Sequence, residues 1–259
     1  MFGAIIGDIV GSVYEWHNIK TTDFNFFSPK GFFTDDTVLT VATAKALLTD
    51  KDYAKHYQDF SRRYPGRGYG GNFSQWIYAE DPQPYNSWGN GSAMRVSPVG
   101  FAFDSADEVL QEAKASALVT HNHPEGVKGA QSTALAILLA RQGQPKETIR
   151  AKITQHFGYD LDRTLDGIRP TYHFDVSCQG SVPEAMIAFF ESEDYEDAIR
   201  KAISLGGDSD TIACITGGIA EAFYGGVPEP IAAKLRTYLP EEFITIIDDF
   251  MGGFRRNSL

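Results

Sequence analysis

Residues 206–226 read GGDSDTIACITGGIAEAFYGG. Small and apolar residues dominate from Ile212 onward, the composition of a helix packed tightly on a neighbour, yet two aspartates, Asp208 and Asp210, introduce the run. A carboxylate taken out of water is costly unless a cation or a set of donors compensates it. Gly217, Gly218, Ala222, Gly225 and Gly226 keep side chains small along this stretch. The same habit marks the other end of the chain, where Gly3, Gly7 and Gly11 recur every fourth residue in MFGAIIGDIVGSVYEW, residues 1–16. That spacing puts them on one face of a helix. Each glycine inside a helix costs ~1 kcal/mol relative to alanine, so close backbone packing has to offset it. The two stripes predict two helices that pair at the centre of the molecule and bring Glu15, at the end of the first, towards Asp208 and Asp210.

Helical periodicity runs through most of the remaining chain. Apolar residues recur at three- and four-residue spacing in 36–49, 105–119, 123–142, 181–191, 194–204, 210–225, 228–238 and 240–252, usually beside a Ser, Asp or Pro start. Alternating β-type runs are short and few, so the expected class is all-α. Glycine and aromatic punctuation concentrates in candidate loops at 21–34, 64–72, 80–92 and 170–180. Such long loops on a helical scaffold are where function usually sits. No tandem repeat, low-complexity tract or linker divides the chain, and one domain over residues 1–259 is expected. The formal net charge of -11 and 42% hydrophobic content fit a globular protein and argue against a general binder of nucleic acid or anionic membrane. An anionic substrate must then meet a local patch of positive potential. Cys178 and Cys214 are the only cysteines, too few for a disulfide framework, so two inert thiols in a cytoplasmic, reducing setting are expected. The apolar opening lacks a basic leader and carries Asp8, which makes it part of the fold. No stretch has the ~18 apolar residues a membrane span needs.

The acids supply the chemistry. Residues 32–37, FFTDDT, put Thr34, Asp35 and Asp36 at the start of the 36–49 helix. Acids at helix starts commonly cap free N–H groups, and Asp208 can cap the 210–225 helix in the same way. The paired signatures T-D-D and D-x-D-T, with Glu15 ending the glycine-striped helix, nevertheless make Glu15, Asp35, Asp36, Asp208 and Asp210 a candidate cluster. Such a cluster cannot stay ionised in one pocket without cations, because like charges raise each other's pKa. Carboxylate and hydroxyl oxygens suit Mg²⁺, Mn²⁺ or Ca²⁺ rather than zinc. His121 and His123 in THNHPE are read as helix-start and pocket residues.

The ordered set GAIIGDIVGSVYE, FTDDT, RGYGG, SWGNGSAMRVSPVG, the TH of THNHPE, SVPEAM and GGDSDTIACITGGIAEAFYG resembles the ADP-ribosylglycohydrolases over almost the whole chain. The resemblance implies a compact, orthogonal all-α bundle with a two-metal centre in a cleft. It implies cleavage of the glycosidic bond joining ADP-ribose to an acceptor. By motif, Glu15, Thr34, Asp35, Asp36, Asp208, Asp210 and Thr211 look like ligands of two divalent cations, Mg²⁺ foremost and Mn²⁺ as an option. Glu15 and Asp36 are the candidate catalytic residues.

The substrate's parts ask for different partners. Adenine wants an aromatic face, and the resemblance assigns Trp88 in NSWGNG as its platform. Pyrophosphate wants backbone N–H groups, which Gly68, Tyr69 and Gly70 on one loop and Gly89, Asn90 and Gly91 on another can provide; Arg67 adds charge. Ser87 and His121 also match substrate-contact positions. Arg95 is expected as an ion-pair partner within the acidic bundle. The expected partner is an ADP-ribosylated protein or small-molecule conjugate as substrate of a monomeric enzyme, with nucleic acid entering only as an ADP-ribosylated acceptor. The RGYG segment leans towards the serine-directed branch. Two other readings stay open: a metal-dependent nucleotide phosphohydrolase, and a non-catalytic ADP-ribose binder or structural protein of the same fold.

Overall fold

The computed structural model describes residues 1–255, and their regular structure is helical throughout. In chain order the helices are α1 (Phe2–Gly11), α2 (Asp35–Leu48), α3 (Tyr53–Arg63), α4 (Gly71–Trp76), α5 (Gly91–Met94), α6 (Ser97–Ala102), α7 (Ala106–Leu118) and α8 (Pro124–Arg141). The second half holds α9 (Lys146–Phe157), α10 (Leu165–Ile168), α11 (Cys178–Glu191), α12 (Tyr195–Ile203), α13 (Ser209–Phe223), α14 (Glu229–Leu235) and α15 (Glu241–Arg255), with a short 3₁₀ turn, Arg236–Tyr238, after α14. Among the described residues the one β-type contact is an isolated antiparallel bridge between Gly89 and Ser177. The last four residues of the expected 1–259 domain lie outside the described residues.

The two glycine-striped segments pair as the sequence predicts. A Cβ built on Gly7 would fall 2.0 Å from the carbonyl oxygen of Ala213, and one on Gly3 would fall 2.2 Å from that of Gly217. No side chain fits there, so backbone meets backbone. The Gly3 N–H reaches across to Glu221 Oε2 at 2.8 Å, which pairs a buried carboxylate at the far end of the stripe. All of α1 after Phe2 is buried, as is α13 up to Ala222. Helices α2, α8, α11 and α12 pack round this pair, and one continuous apolar core joins them.

Elements missed by the periodicity reading are short or carry a thin apolar stripe. Helix α3 is rich in charge, yet Tyr53, Tyr57 and Phe60 bury one face, and Asp52 caps it by accepting from Lys55 N–H at 3.1 Å. Helix α9 buries only Ile149 and Ile153, and stops where Gly158 turns left-handed at φ 70°. Helix α11 begins at Cys178 rather than 181. Ser177 caps it by accepting from Gly180 N–H at 3.1 Å, and Pro183 sits inside the helix.

Candidate active site

Three chain segments far apart in sequence converge at one cleft of about 430 Å³. Helices α2 and α13 both point their N-termini at it, and free N–H groups there favour negative charge. At α2, the Thr34 hydroxyl accepts from Asp36 N–H at 3.2 Å. The turn is held from beneath by Asp8 of α1, which accepts from Thr34 N–H at 3.0 Å, Thr34 Oγ1 at 2.7 Å, Thr37 N–H at 3.1 Å and the Thr37 hydroxyl. Burial pushes the Asp8 carboxyl up to about 6 in spite of those donors. Sequence reading noted Asp8 only as a break in an apolar run; a lone acid in a fully buried helix was the available signal.

At α13, Asp208 occupies the cap position and accepts from Asn90 Nδ2 at 2.7 Å, while Thr211 Oγ1 donates to Asp36 Oδ1 at 3.3 Å. Glu15 does not end α1 as expected. Helix α1 stops at Gly11, and Glu15 sits half-buried in the turn that follows. Asn18 pins that turn, donating to the carbonyls of Glu15 at 2.9 Å and Gly207 at 2.9 Å and accepting from Gly207 N–H at 2.8 Å. Asn18 thus ties the first motif to the last, and no periodicity marks it. Carboxylate oxygens of Glu15, Asp208 and Asp210 lie within 4.8 Å of one another.

The electrostatics of these acids are strained by proximity. Burial, then the charges of Asp208 and Asp8, lift Glu15 to about 7. Burial also raises Asp35, Asp36 and Asp210 well above the usual carboxylate range, with neighbouring acids adding to it. Asp208 moves the same way, restrained by its hydrogen bond from Asn90. Asp36 Oδ2 and Asp210 Oδ1 are buried without a hydrogen-bond partner among the described residues. Orphaned carboxylate oxygens beside other acids call for cations, and an all-oxygen donor set fits hard divalent ones. Thr34, with one lone pair engaged as the α2 cap, retains a second.

The other wall of the cleft is built from loops. Gly68, at φ 101°, lets the 64–70 loop close over α2; a Cβ there would stand 3.0 Å from Asp35 Oδ1. Gly68 and Gly70 line the cleft with Ser87, Gly89, Asn90, Gly91 and His121. Tyr69 does not: its hydroxyl donates to the Tyr64 carbonyl at 2.9 Å and its ring stacks on Phe73. Trp88 lies apart as well. Its indole is 52% exposed and leans on His123, outside the cleft wall. The aromatic residues that line the cleft include Tyr85, 6.2 Å from His121, and Phe73. Trp16 and Phe174 stack at 5.2 Å on the rim. Arg67 donates to the Phe33 carbonyl and covers the Phe33 ring. Arg95 makes no ion pair with any acid among the described residues; it is fully buried over the Tyr57 ring. A roomier cleft of about 580 Å³ opens beside α10 and α11, but its buried acid, Glu184, is already paired with Arg163 at 2.6 Å. Cys178 and Cys214 are free and buried, and burial pushes the Cys178 thiol up to about 12.

The chain is similar to known proteins in sequence and in fold. A family model for ADP-ribosylglycohydrolase matches residues 1–258. The human ADP-ribosylhydrolase ARH3 is 28% identical, covering 88% of this chain and 85% of its own length. The ADP-ribosylarginine hydrolase Tri1 of Pseudomonas putida is 27% identical, covering 91% of this chain and 72% of its own. A solved structure titled as an ADP-ribosylglycohydrolase-related protein complex superposes with a TM-score of 0.70 at 25% identity, covering 92% of this chain and 94% of that one. The chain belongs to the ADP-ribosylglycohydrolase family and is an enzyme of that class.

Proposed function

We propose that the protein hydrolyses the glycosidic bond between ADP-ribose and an acceptor, a protein side chain or a small molecule, and that it does so with two divalent cations, Mg²⁺ or Mn²⁺. The observation that carries this reading is the lining of the cleft. Glu15, Asp36, Asp208 and Asp210 line one cleft together with Ser87, the donor-rich Gly89–Gly91 loop and His121, and Asn90 of that loop donates to Asp208 at 2.7 Å. A ligand that carries both a diol and phosphates matches that mixture of acids and donors. The ligands proposed for the cations are Glu15, Thr34, Asp35, Asp36, Asp208, Asp210 and Thr211. When bound, such cations polarise sugar oxygens and lower the pKa of water.

The residues divide the work. Glu15, half-exposed on a turn, is free to take a proton from the attacking water as its oxygen bonds to the anomeric carbon. The bond to the acceptor breaks, its electron pair leaves with the acceptor atom, and that atom takes up a proton. Asp36, buried at the α2 N-terminus, opposes the positive charge that develops on the sugar. Tyr85 takes over from Trp88 as the platform for the base. Backbone N–H groups of the 68–70 and 89–91 loops serve the pyrophosphate. The proposal includes a monomeric enzyme in the cytoplasm, where its two free, buried thiols stay reduced.

Defined substrates carrying ADP-ribose on serine, arginine or O-acetyl groups, each incubated with Mg²⁺ and with Mn²⁺, test the proposal. Free ADP-ribose as the product supports it. Inorganic phosphate or a mononucleotide as the product replaces it with the phosphohydrolase reading.

A further inference from the structure

Arg95 is a permanent positive charge buried without a carboxylate partner. Its side chain is 0% exposed, and it is the one lysine or arginine among the described residues lining the acid-bearing cleft. The guanidinium lies 4.2 Å over the Tyr57 ring, and its Nη2 donates to the Ser116 carbonyl at 3.0 Å and to Thr120 Oγ1 at 2.9 Å. Nε and Nη1 have no partner among the described residues. A charge so placed, in a molecule of net charge -11, is not there to balance a neighbouring acid. Its field is unscreened by water and acts on whatever enters the adjacent wall.

The hydrogen bonds carry the argument further. Arginine only donates, so Thr120 Oγ1 accepts from it and keeps its own proton for another group. Among the described residues the acceptor in reach is His121 Nδ1, at 2.7 Å. With Nδ1 accepting, the neutral imidazole carries its proton on Nε2. The opposite tautomer would leave the hydroxyl proton of a fully buried threonine unpaired, which is costly. Nε2 faces the glycine loop: a Cβ on Gly91 would stand 3.3 Å from it and one on Gly89 3.6 Å. Burial, then the Arg95 charge, hold His121 well below its usual pKa, in keeping with a neutral ring.

We propose that Arg95, Thr120 and His121 form a positioning relay, which presents His121 as a neutral Nε2–H donor, backed by the Arg95 charge, to the phosphate-bearing stretch of ADP-ribose along Gly89–Gly91. The ligand named here rests on the proposed function; the tautomer does not. Arg95 and Thr120 touch no substrate and act through His121.

Thr120→Val removes the hydroxyl at nearly constant volume, and Thr120→Ser restores it. The ¹⁵N shifts of the His121 ring nitrogens give the tautomer, and calorimetry with ADP-ribose and with adenosine gives the affinities. The relay requires the Nε2–H form in the wild type and in Thr120→Ser, and loss of that single form in Thr120→Val. It also requires affinity for ADP-ribose to fall roughly tenfold in Thr120→Val, as for a lost hydrogen bond to charge, with adenosine changed less than twofold. An Nδ1–H wild type, or an unchanged tautomer in Thr120→Val, overturns the relay. Equal losses for both ligands overturn its role towards phosphate. A wild type with the Nε2–H form that ignores ADP-ribose overturns the substrate reading alone and leaves the tautomer lock standing.

Discussion

Glu15 differs from Asp36, Asp208 and Asp210 in its exposure. Asp36, Asp208 and Asp210 are fixed at helix starts and almost fully buried, whereas Glu15 is half-buried on a turn that Asn18 ties to Gly207. A group that must meet a water, lose it and meet the next belongs on such a turn. Glu15→Gln keeps the shape and removes the base, so turnover should drop by at least ~100-fold, the scale of a general acid or base, while ADP-ribose still binds. Near-normal turnover of a folded Glu15→Gln protein would remove Glu15 from the chemistry. The proposed base platform is tested at the same scale. Tyr85 is in the cleft wall and Trp88 is not. Tyr85→Ala should therefore weaken ADP-ribose by ~1–3 kcal/mol, the worth of one stacked base, and Trp88→Ala should weaken it less. Calorimetry showing the reverse order would return the platform to Trp88.

The α1–α13 pair sets the positions of the acids, and it was legible because its signal is a pattern. Glycines four apart in an apolar run have few uses besides close helix packing, and TDD and DSDT stand at the matching helix starts. The short helices α4, α5, α6 and α10 carry too few turns to show a period, and the thin stripe of α9 hides another helix. Side-chain direction is the other thing a one-dimensional pattern lacks. The motif around Trp88 shows nothing of the placement that has Tyr85 line the cleft and leaves Trp88 exposed beside His123. Asn18 and Asp8 were missed for the same reason, since each acts on a partner distant in sequence. The glycine stripe makes a signed prediction. Gly7→Ala gains ~1 kcal/mol of helix propensity but sets a methyl 2.0 Å from a backbone oxygen, and overpacking of that kind costs ~1–3 kcal/mol or more. Net destabilisation is expected in denaturant titration. Gly252→Ala, in α15 with no atom within 4 Å of the added Cβ, should instead stabilise by up to ~1 kcal/mol. If both variants shift stability the same way, close packing is not what selects glycine at position 7.

Across the whole molecule, the acid cluster joins parts of the chain that lie far apart in sequence. Glu15, the Thr34–Asp36 turn and Asp208–Thr211 span most of the sequence, and in the absence of counter-charge their carboxylates repel in a buried setting. Cations held there would bind the folded arrangement and not the separated segments of the unfolded chain. Such a ligand adds RT ln(1 + [L]/Kd), so millimolar Mg²⁺ or Mn²⁺ over a micromolar site should contribute ~4 kcal/mol. For a chain of this size that corresponds to roughly 10 °C in Tm, and thorough chelation should remove it along with activity. Asp210→Asn separates this from a generic salt effect. Removing one buried charge relieves desolvation and repulsion, so the metal-free variant should melt higher than the metal-free wild type. The same change deletes a proposed ligand, so the variant should gain far less on adding Mg²⁺. The two melting curves should therefore cross in order, variant above wild type without metal and below it with metal. A wild type whose Tm ignores chelation, or an Asp210→Asn protein that melts below the wild type even when both are stripped, would mean that these acids are held by the fold for some purpose other than binding cations.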